Sequence, residues 1–332
     1  MRILWRMLLF GASLVLLFLA AGWCGQAKEP AGRAVVFLTE TWLDKKTGEE
    51  ICRLEAEQEE GVSLCFWGEK QDVTVSCQET GKSVRAGMVV CTGNPGLLIP
   101  GGSLLAWRQE GCLVDEKTAE ELFGSRSAGG QTLWYQGAAC PVLGTFGSVR
   151  RTVVRMAREE DGSLLLGAVL EKAGEEAADS VGQQFLLRHG LDGQTADFGF
   201  LWAAAENMLL LLPFLFVCSF CRLAFRAAKR AGSAPGRRLL FFLTAAAGLL
   251  FLWFLFCRLE IPKDMIPSRW SDFAFWGDWW ERQKKNLLLL FSAPLGEAQL
   301  TAVWNLLRSL LCSLAAAVLG AASLRPAGSL KK

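Results

Sequence analysis

Long apolar runs lie near both ends of the 332-residue chain, and a polar region lies between them. A helix that crosses about 30 Å of hydrocarbon needs about 20 mostly apolar residues, because lipid leaves no backbone group unpaired. Four segments fit this length: Met7–Trp23, Phe198–Cys221, Leu239–Cys257 and Ala302–Leu324. With their flanks these segments predict transmembrane helices at 1–25, 198–221, 239–257 and 301–324.

The region 26–197 shows the short apolar period of strands, as in Ala34–Leu38, Val62–Trp67 and Val73–Cys77. Turn chemistry separates these runs, and three tight reversals are expected at Lys46–Gly48, Glu79–Lys82 and Gly93–Gly96. A helix is predicted over Asp115–Gly124, where Asp115 serves as the cap and Gly124 ends the helix. The fold class is therefore a membrane α-helical protein with an extracytoplasmic α+β domain inserted between transmembrane helix 1 and helix 2.

Basic residues predict the orientation, because short cytoplasmic loops are enriched in Lys and Arg. The loop 222–238 contains no acid and carries six basic residues: Arg222, Arg226, Lys229, Arg230, Arg237 and Arg238. Arg2 and Arg6 precede the first helix, and Arg325, Lys331 and Lys332 follow the fourth, in the tail 325–332. Both termini are therefore predicted to be cytoplasmic at the plasma membrane, which leaves 26–197 and the segment 258–300 outside.

The first apolar segment has a second interpretation as a cleaved signal peptide. It has a basic start, an apolar run and small residues at Gly25 and Ala27 that suit cleavage. Cleavage would leave three helices and place the mature N-terminus outside.

The formal charge of +2 conceals a strong segregation of charge. Residues 26–197 carry 26 acidic and 17 basic side chains, and the only dense basic stretch lies between two apolar helices. A nucleic-acid-binding domain needs a clustered basic surface on a folded unit. That class is therefore set aside.

Six of the 11 cysteines lie in the predicted outer domain: Cys52, Cys65, Cys77, Cys91, Cys112 and Cys140. Six cysteines permit up to three disulfides in 15 pairings, among which the sequence does not choose. Buried free thiols in strands are the alternative.

Catalytic and cofactor motifs are weak. Gly81-Lys82-Ser83 has Ser76 where a phosphate-binding loop needs glycine, and Cys218-Ser-Phe-Cys221 lies in an apolar helix without a redox-motif setting. His189, the single histidine, is expected to be solvated, and no cysteine pair in the outer domain has zinc-site spacing. The sequence therefore predicts no enzyme, no cofactor and no metal site, and any ATPase would be a separate subunit.

Glu206 and Arg308 are the charges of interest within the apolar segments. Glu206 lies 16 residues before Arg222, and Arg308 lies 17 residues before Arg325, so both are roughly 25 Å from the inner boundary. We expect either an intramembrane ion pair between helices two and four, since unpaired charges are costly there, or snorkelling of both side chains to the interface.

Two further segments indicate surfaces. Helix four is rich in small residues such as Ser313, Ala317 and Gly320, which favour close helix packing, within the monomer or in a homodimer. The outer segment 258–300 is rich in tryptophan and phenylalanine, which favours contact with the lipid surface or with the outer domain.

The predicted topology resembles that of the permeases of MacB-type and FtsX-type ABC systems. It consists of one helix, a large outer domain and three further helices with a basic inner loop. The resemblance is carried by Leu98-Ile99-Pro100-Gly101-Gly102, Gly111-Cys112-Leu113-Val114-Asp115, Ala119, Leu122-Phe123-Gly124, Gly137 and Pro141-Val142-Leu143-Gly144. The match spans about Leu97 to Phe146 and is similar to the MacB-type periplasmic core. The family's cytoplasmic coupling element after helix two is reduced here to Arg226-Ala-Ala-Lys-Arg230-Ala-Gly-Ser233.

The resemblance implies a non-catalytic permease-like subunit of an ABC-type transport or mechanotransmission system. A separate P-loop ABC ATPase would contact Arg226, Lys229 and Arg230 and drive motion of the outer domain. The alternative is a membrane-tethered binding or sensory module that works without an ATPase.

Overall fold

A computed structural model of the chain describes residues 2–39, 42–59, 61–162, 165–171, 178–230, 234–262, 265–266, 274–292 and 296–324. The chain divides into two compact units. A helical unit comprises 1–28, 200–263 and 303–332, and a sheet-containing unit comprises 29–199 and 264–302.

The helical unit contains residues of five apolar helices among the described residues. They are α1 (Arg2–Ala31), α6 (Gly199–Leu209), α7 (Leu211–Arg230), α8 (Ala234–Cys257) and α10 (Glu297–Leu324). Three of these helices, α1, α6 and α10, also include residues of the sheet-containing unit. Three stretches are long and apolar enough to span a membrane, namely Leu4–Ala31, Gly199–Arg226 and Glu297–Leu324, and Phe241–Cys257 is a shorter apolar helix. The chain is thus a membrane protein by helix length and composition, as predicted, with three spans found among the described residues.

The boundary between α6 and α7 falls three residues before Pro213, which lacks an N–H and interrupts helical hydrogen bonding. The basic stretch predicted as the loop 222–238 is mostly helical, because α7 continues through Arg230 and α8 begins at Ala234. The leucine, alanine and arginine residues after Cys221 are strong helix formers, which accounts for the longer helix.

The sheet-containing unit confirms the predicted α+β class. Its strands are β1 (Ala34–Leu38), β2 (Leu64–Cys77), β3 (Lys82–Gly93), β4 (Cys112–Asp115), β5 (Thr132–Tyr135), β6 (Ala138–Phe146), β7 (Thr152–Met156), β8 (Gly167–Leu170) and β9 (Gly193–Ala196). They form one mixed sheet in the order β3-β7-β4-β6-β5-β2-β8-β1-β9, and β2 also pairs with β3. The six strands from β3 to β2 therefore close into a ring, and β8, β1 and β9 extend from the first half of β2.

Strand β2 joins the two parts of the sheet. Its start pairs with β8, and Val75 and Ser76 pair with β5. The sequence predicted two separate strands here, but a register shift between Lys70 and Val73 and a positive φ at Asp72 let one strand continue through the polar residues.

Five helices accompany the sheet: α2 (Lys45–Glu57), α3 (Ser103–Trp107), α4 (Glu116–Phe123), α5 (Ala178–His189) and α9 (Phe275–Ser292). One hydrophobic core joins α4 to the strand ring, and a second joins α2 and α5 to β1, β2 and β8. The sheet-containing unit therefore has two cores, one for each part of the sheet.

Helix α4 confirms its local sequence signals. Asp115 accepts hydrogen bonds from the backbone N–H groups of Lys117 and Thr118, and Gly124 ends the helix in the left-handed conformation. The tight reversal expected at Lys46–Gly48 is wrong, because Asp44 caps α2 there by accepting from the N–H of Thr47.

Candidate functional site

The three basic residues predicted as the inner contact lie in the last turns of α7. Arg226 and Lys229 are exposed, and the Lys229 ammonium lies 4.8 Å from the ring centroid of Phe225. Arg230 is the last residue of α7, and its side chain lies outside the described part of the structure. Because residues three apart share a helix face, Arg226 and Lys229 lie on one face of α7, and the role of Arg226, Lys229 and Arg230 as an ATPase contact stays a prediction.

Glu206 lies on α6, and its carboxylate is hydrogen-bonded to a thiol. The Cys24 sulfur of α1 donates a hydrogen bond of 3.1 Å to the Glu206 carboxylate. Arg308 is exposed on α10, and among the described side chains no ion pair joins it to Glu206.

Side-chain amides and hydroxyls hold the helical unit together. Asn207 pairs with the backbone of Glu260 through two hydrogen bonds, of 2.8 and 2.9 Å. The Ser309 hydroxyl donates to the carbonyl oxygen of Ala20 at 2.9 Å, and an alanine side chain built at Gly320 would come within 2.4 Å of Leu212. The small-residue face predicted on the fourth helix therefore packs against other helices of the same chain.

The ends of two membrane helices are fixed to one short segment of the sheet-containing unit. Arg33, directly after α1, donates a 2.7 Å hydrogen bond to the carbonyl oxygen of Leu97 and pairs with Glu29. The backbone N–H of Ala298, in the first turn of α10, donates to the neighbouring carbonyl of Leu98 at 3.0 Å. Leu97 and Leu98 are buried, so both attachments are made to a packed part of the domain.

Glu297, the first residue of α10, makes another attachment, and its side chain is almost completely buried. Its carboxylate accepts hydrogen bonds from the Ser148 hydroxyl at 2.5 Å and the Thr152 hydroxyl at 2.8 Å. The Arg150 guanidinium lies 3.6 Å away, and this charge and the two donors satisfy a buried carboxylate. The first turn of α10 is thereby fixed to the start of β7.

Arg150 also faces a second carboxylate. Its guanidinium lies 3.7 Å from Glu69, on β2. Burial raises the pKa of Glu69, Arg150 lowers it in part, and the neighbouring Glu297 raises it again. The Arg150 guanidinium thus links β2 to the first turn of α10. We use the name α10 anchor for the set of five residues Ser148, Arg150, Thr152, Glu297 and Glu69.

A third attachment lies at the start of α6. The Asn286 side chain of α9 accepts from the Asp197 N–H at 3.0 Å and donates to the Asp197 carbonyl. The Asp197 carboxylate in turn accepts from the N–H of Gly199, the first residue of α6, at 2.7 Å. The residues at the end of α1 and at the starts of α6 and α10 belong to the sheet-containing unit, and each of these ends is therefore held within that unit by a polar contact.

The remaining candidate chemistry is structural. Gly81-Lys82-Ser83 lies at the β2–β3 hairpin, as predicted. His189 is not solvated as expected: its ring is buried, stacks on Phe185 and lies 2.7 Å from Glu55. Among the residues that the structure describes, no group of three or more His, Cys, Asp and Glu could hold a metal ion.

The α10 anchor was not predicted from sequence. Ser148 and Glu297 are separated by 149 positions, and no local motif joins a Ser-Val-Arg-Arg-Thr turn to a glutamate before an apolar helix. The available signal was a lone acid, Glu297, at the start of a membrane-length apolar stretch.

No protein-family model matches the chain, and no curated protein matches it by sequence. Among solved structures, the chain is similar to the periplasmic region of MacB from Actinobacillus actinomycetemcomitans, with a TM-score of 0.40 and 12% identity over 50% of this chain and 88% of that chain. It is also similar to the extracellular domain of the noncanonic ABC-type transporter YknZ from Gram-positive bacteria, with a TM-score of 0.37 and 14% identity over 50% of this chain and 100% of that chain. These proteins are of the class that Leu97–Phe146 resembles. Because both TM-scores are below 0.5, the functional proposal rests on the residues described above and not on this likeness.

Proposed function

We propose that the chain is the permease-like membrane subunit of an ABC-type transport or mechanotransmission system. A separate P-loop ATPase contacts Arg226, Lys229 and Arg230, and the membrane helices pass its motion to the extracytoplasmic domain. The chain itself is not an enzyme in this scheme. Four helices cross the bilayer, with α8 as the third, and both termini are cytoplasmic.

The observation that carries the proposal is the α10 anchor. Glu297 begins a 28-residue apolar helix and is bound by two hydroxyl groups and a guanidinium of the mixed-sheet domain. A displacement of the first turn of α10 would break buried hydrogen bonds unless β7 moved with it, and breaking them costs about 1–3 kcal/mol for each buried group left unpaired. The domain therefore follows the helix end.

Relay also needs a ligand that favours one arrangement of the helices over another. The exposed basic face of Arg226 and Lys229 provides a surface for an acidic partner on the predicted cytoplasmic side. Basic residues that only set the membrane topology would lie in the same place. If these residues bind a partner, neutralising their charges should release the partner without inverting the orientation of the protein in the membrane.

Hydrogen exchange tests the relay. The full chain is purified in mild detergent from its native host with any co-purifying subunits, and exchange of Thr152–Met156 is followed with and without a non-hydrolysable ATP analogue. We expect a nucleotide-dependent change that Glu297→Gln abolishes and that the exposed-site control Glu281→Gln retains. Exchange at β7 that never responds to nucleotide, in a sample that contains an ATPase, would contradict the relay.

A membrane-tethered binding module is the second candidate, and one feature favours it. A cleft of the sheet-containing unit is lined by charged and amide side chains of α5, β9 and α9, among them Asp179, Gln183, Gln194 and Arg282. A convergent polar lining is typical of ligand sites. This candidate predicts ligand binding by the full chain that is insensitive to neutralisation of Arg226, Lys229 and Arg230.

A further inference from the structure

Two cysteines of the strand ring lie side by side on neighbouring strands. The register pairs Cys112 of β4 with Val142 of β6, two residues beyond Cys140. Alternate residues of a strand project to one face, so Cys140 and Val142 share the face of β6 that packs with Cys112. The Cys112 thiol donates to the Cys140 carbonyl oxygen at 3.9 Å and the Cys140 thiol donates to the Glu110 carbonyl oxygen at 3.3 Å, and both side chains belong to one buried core cluster.

Two arginines face this pair. A small cavity is lined by Cys112, Cys140, Arg155 and Arg158, and its wall includes the exposed residue Ala138. The neighbouring Cys112 thiol lowers the pKa of Cys140, burial opposes this, and the positive charges of Arg158 and Arg155 lower the pKa further. Cys140 is therefore the more nucleophilic partner, since the thiolate is the reactive form.

A second cysteine pair provides an internal comparison. Cys65 and Cys91 lie on the antiparallel strands β2 and β3 and are fully buried. The Cys65 thiol donates to the Phe66 carbonyl oxygen at 3.5 Å, and the Cys91 thiol contacts the Arg155 carbonyl oxygen and the Met156 sulfur. Burial raises the pKa of Cys65 well above its usual range, and the neighbouring thiols of Cys91 and Cys52 raise it further.

We propose that Cys112 and Cys140 form a disulfide that joins β4 to β6, and that Cys65 and Cys91 remain thiols. The oxidant is an extracytoplasmic thiol–disulfide oxidoreductase in its disulfide form. The Cys140 thiolate attacks a sulfur of that disulfide and forms a mixed disulfide, with release of the oxidant's first thiol. The Cys112 sulfur then attacks Cys140, which releases the second thiol, so that two protons and two electrons pass from the cysteine pair to the oxidant.

The inference rests on the proposed topology, because only an outer location exposes the pair to such an oxidant. The bond would close the loop that contains α4 and β5, with a separation of 28 residues between the two cysteines. A crosslink of this kind limits the unfolded chain and holds the ring closed. The domain that receives motion from the helices would thereby act as a stiffer body.

Peptide mapping tests the pair directly. Membranes from the native host are quenched with acid, free thiols are blocked with N-ethylmaleimide, and the full chain is digested without reduction. We expect a Cys112–Cys140 linked peptide that disappears on reduction, with the blocking group on Cys65 and Cys91. Blocking groups on both Cys112 and Cys140, or a link of either one to another cysteine, would overturn the proposal.

The membrane topology is measured separately, so that a failure of the disulfide proposal can be distinguished from a failure of the proposed outer location. An exposed thiol is introduced with Ala56→Cys on α2 and treated with a membrane-impermeant maleimide before lysis. If the introduced cysteine is labelled from outside while Cys112 and Cys140 are found as free thiols, the disulfide is rejected and the proposed topology stands. No labelling rejects the outer location and the oxidation route built on it.

Stability provides a second measurement. Dithiothreitol should lower the melting temperature of the wild-type chain by roughly 5–10 °C, and this shift should be absent in Cys112→Ser and in Cys140→Ser. The matched control Cys77→Ser removes a buried thiol whose hydrogen-bonding neighbour is Thr80, and it should keep the shift. A wild-type melting temperature unaffected by reductant would contradict the proposal.

Discussion

Glu297, the first residue of α10, accepts a 2.8 Å hydrogen bond from the hydroxyl of Thr152, which lies 145 residues earlier in the chain. This contact joins the start of an apolar helix of membrane-spanning length to the first residue of a central strand. Ser148 donates to the other carboxylate oxygen, so the helix end is held from two directions. The contact is the physical basis of the proposed relay.

Removing the Glu297 carboxylate should destabilise the domain. Glu297→Ala leaves the Ser148 and Thr152 hydroxyls without their acceptor, and we expect a loss of about 2–4 kcal/mol in the free energy of unfolding. Glu297→Gln keeps one acceptor oxygen and should cost less. Urea denaturation of the full chain in detergent measures both, and the exposed control Glu281→Ala should change little.

The acid limb of the stability curve should depend on Glu55. Burial raises the pKa of Glu55, but the N–H of Val62 and the side chains of His189 and Arg188 lower it more, and its net pKa is lowered. The ionised Glu55 carboxylate therefore stabilises the folded state fully at pH values above its unfolded-state pKa of about 4.3. This stabilisation is lost as the pH falls through the lower pKa that Glu55 has in the folded state.

The test compares melting temperatures between pH 7 and pH 3. Glu55→Gln should lower the melting temperature at pH 7 and flatten its acid dependence, because the titrating carboxylate is gone. Asp44→Asn offers a contrast, since Asp44 is a half-buried helix cap whose pKa is lowered by its hydrogen bonds with Thr47. An unchanged acid dependence in Glu55→Gln would contradict the assignment of this carboxylate as a stabilising group.

Gly93 should be far less tolerant of substitution than Gly81. Both have positive φ, at 102° and 65°, but an added side-chain carbon at Gly93 would lie 2.4 Å from the Leu64 carbonyl oxygen, whereas nothing lies within 4 Å at Gly81. We expect Gly93→Ala to cost at least about 3 kcal/mol and Gly81→Ala about 1 kcal/mol. Thermal denaturation of the two variants measures both losses of stability. Equal losses would contradict the prediction and show that the end of β3 relaxes freely around the added side chain.

The predicted ion pair of Glu206 and Arg308 has a double-mutant test. If the charges interact in the bilayer, Glu206→Gln and Arg308→Gln each reduce stability, and the double variant loses less than the sum of the two. Purely additive losses would mean that the charges are independent. Cys24→Ala tests the observed neighbour in the same assay, because the Cys24 thiol donates to Glu206.

Sequence reasoning succeeded where the signal was local. The capping aspartate and terminal glycine of α4 lie within ten residues of each other, and the apolar period of β1 is continuous. Sequence reasoning failed where the interacting residues are distant in the chain. It predicted two strands in place of β2 because the polar bulge of β2 resembles a turn. It predicted a solvated His189 because the partner of this side chain, Glu55, lies 134 residues away. The α10 anchor depends on the same kind of long-range contact.

Co-purification tests the central claim most directly. The tagged full chain is isolated in mild detergent from its native host, and co-purifying proteins are identified by mass spectrometry. We predict a P-loop ATPase that is lost when Arg226, Lys229 and Arg230 are all changed to Gln, and retained when the tail residues Arg325, Lys331 and Lys332 are changed instead, at the same total charge. Repeated absence of an ATPase from abundant, folded wild-type protein would contradict the permease proposal and favour the tethered binding module.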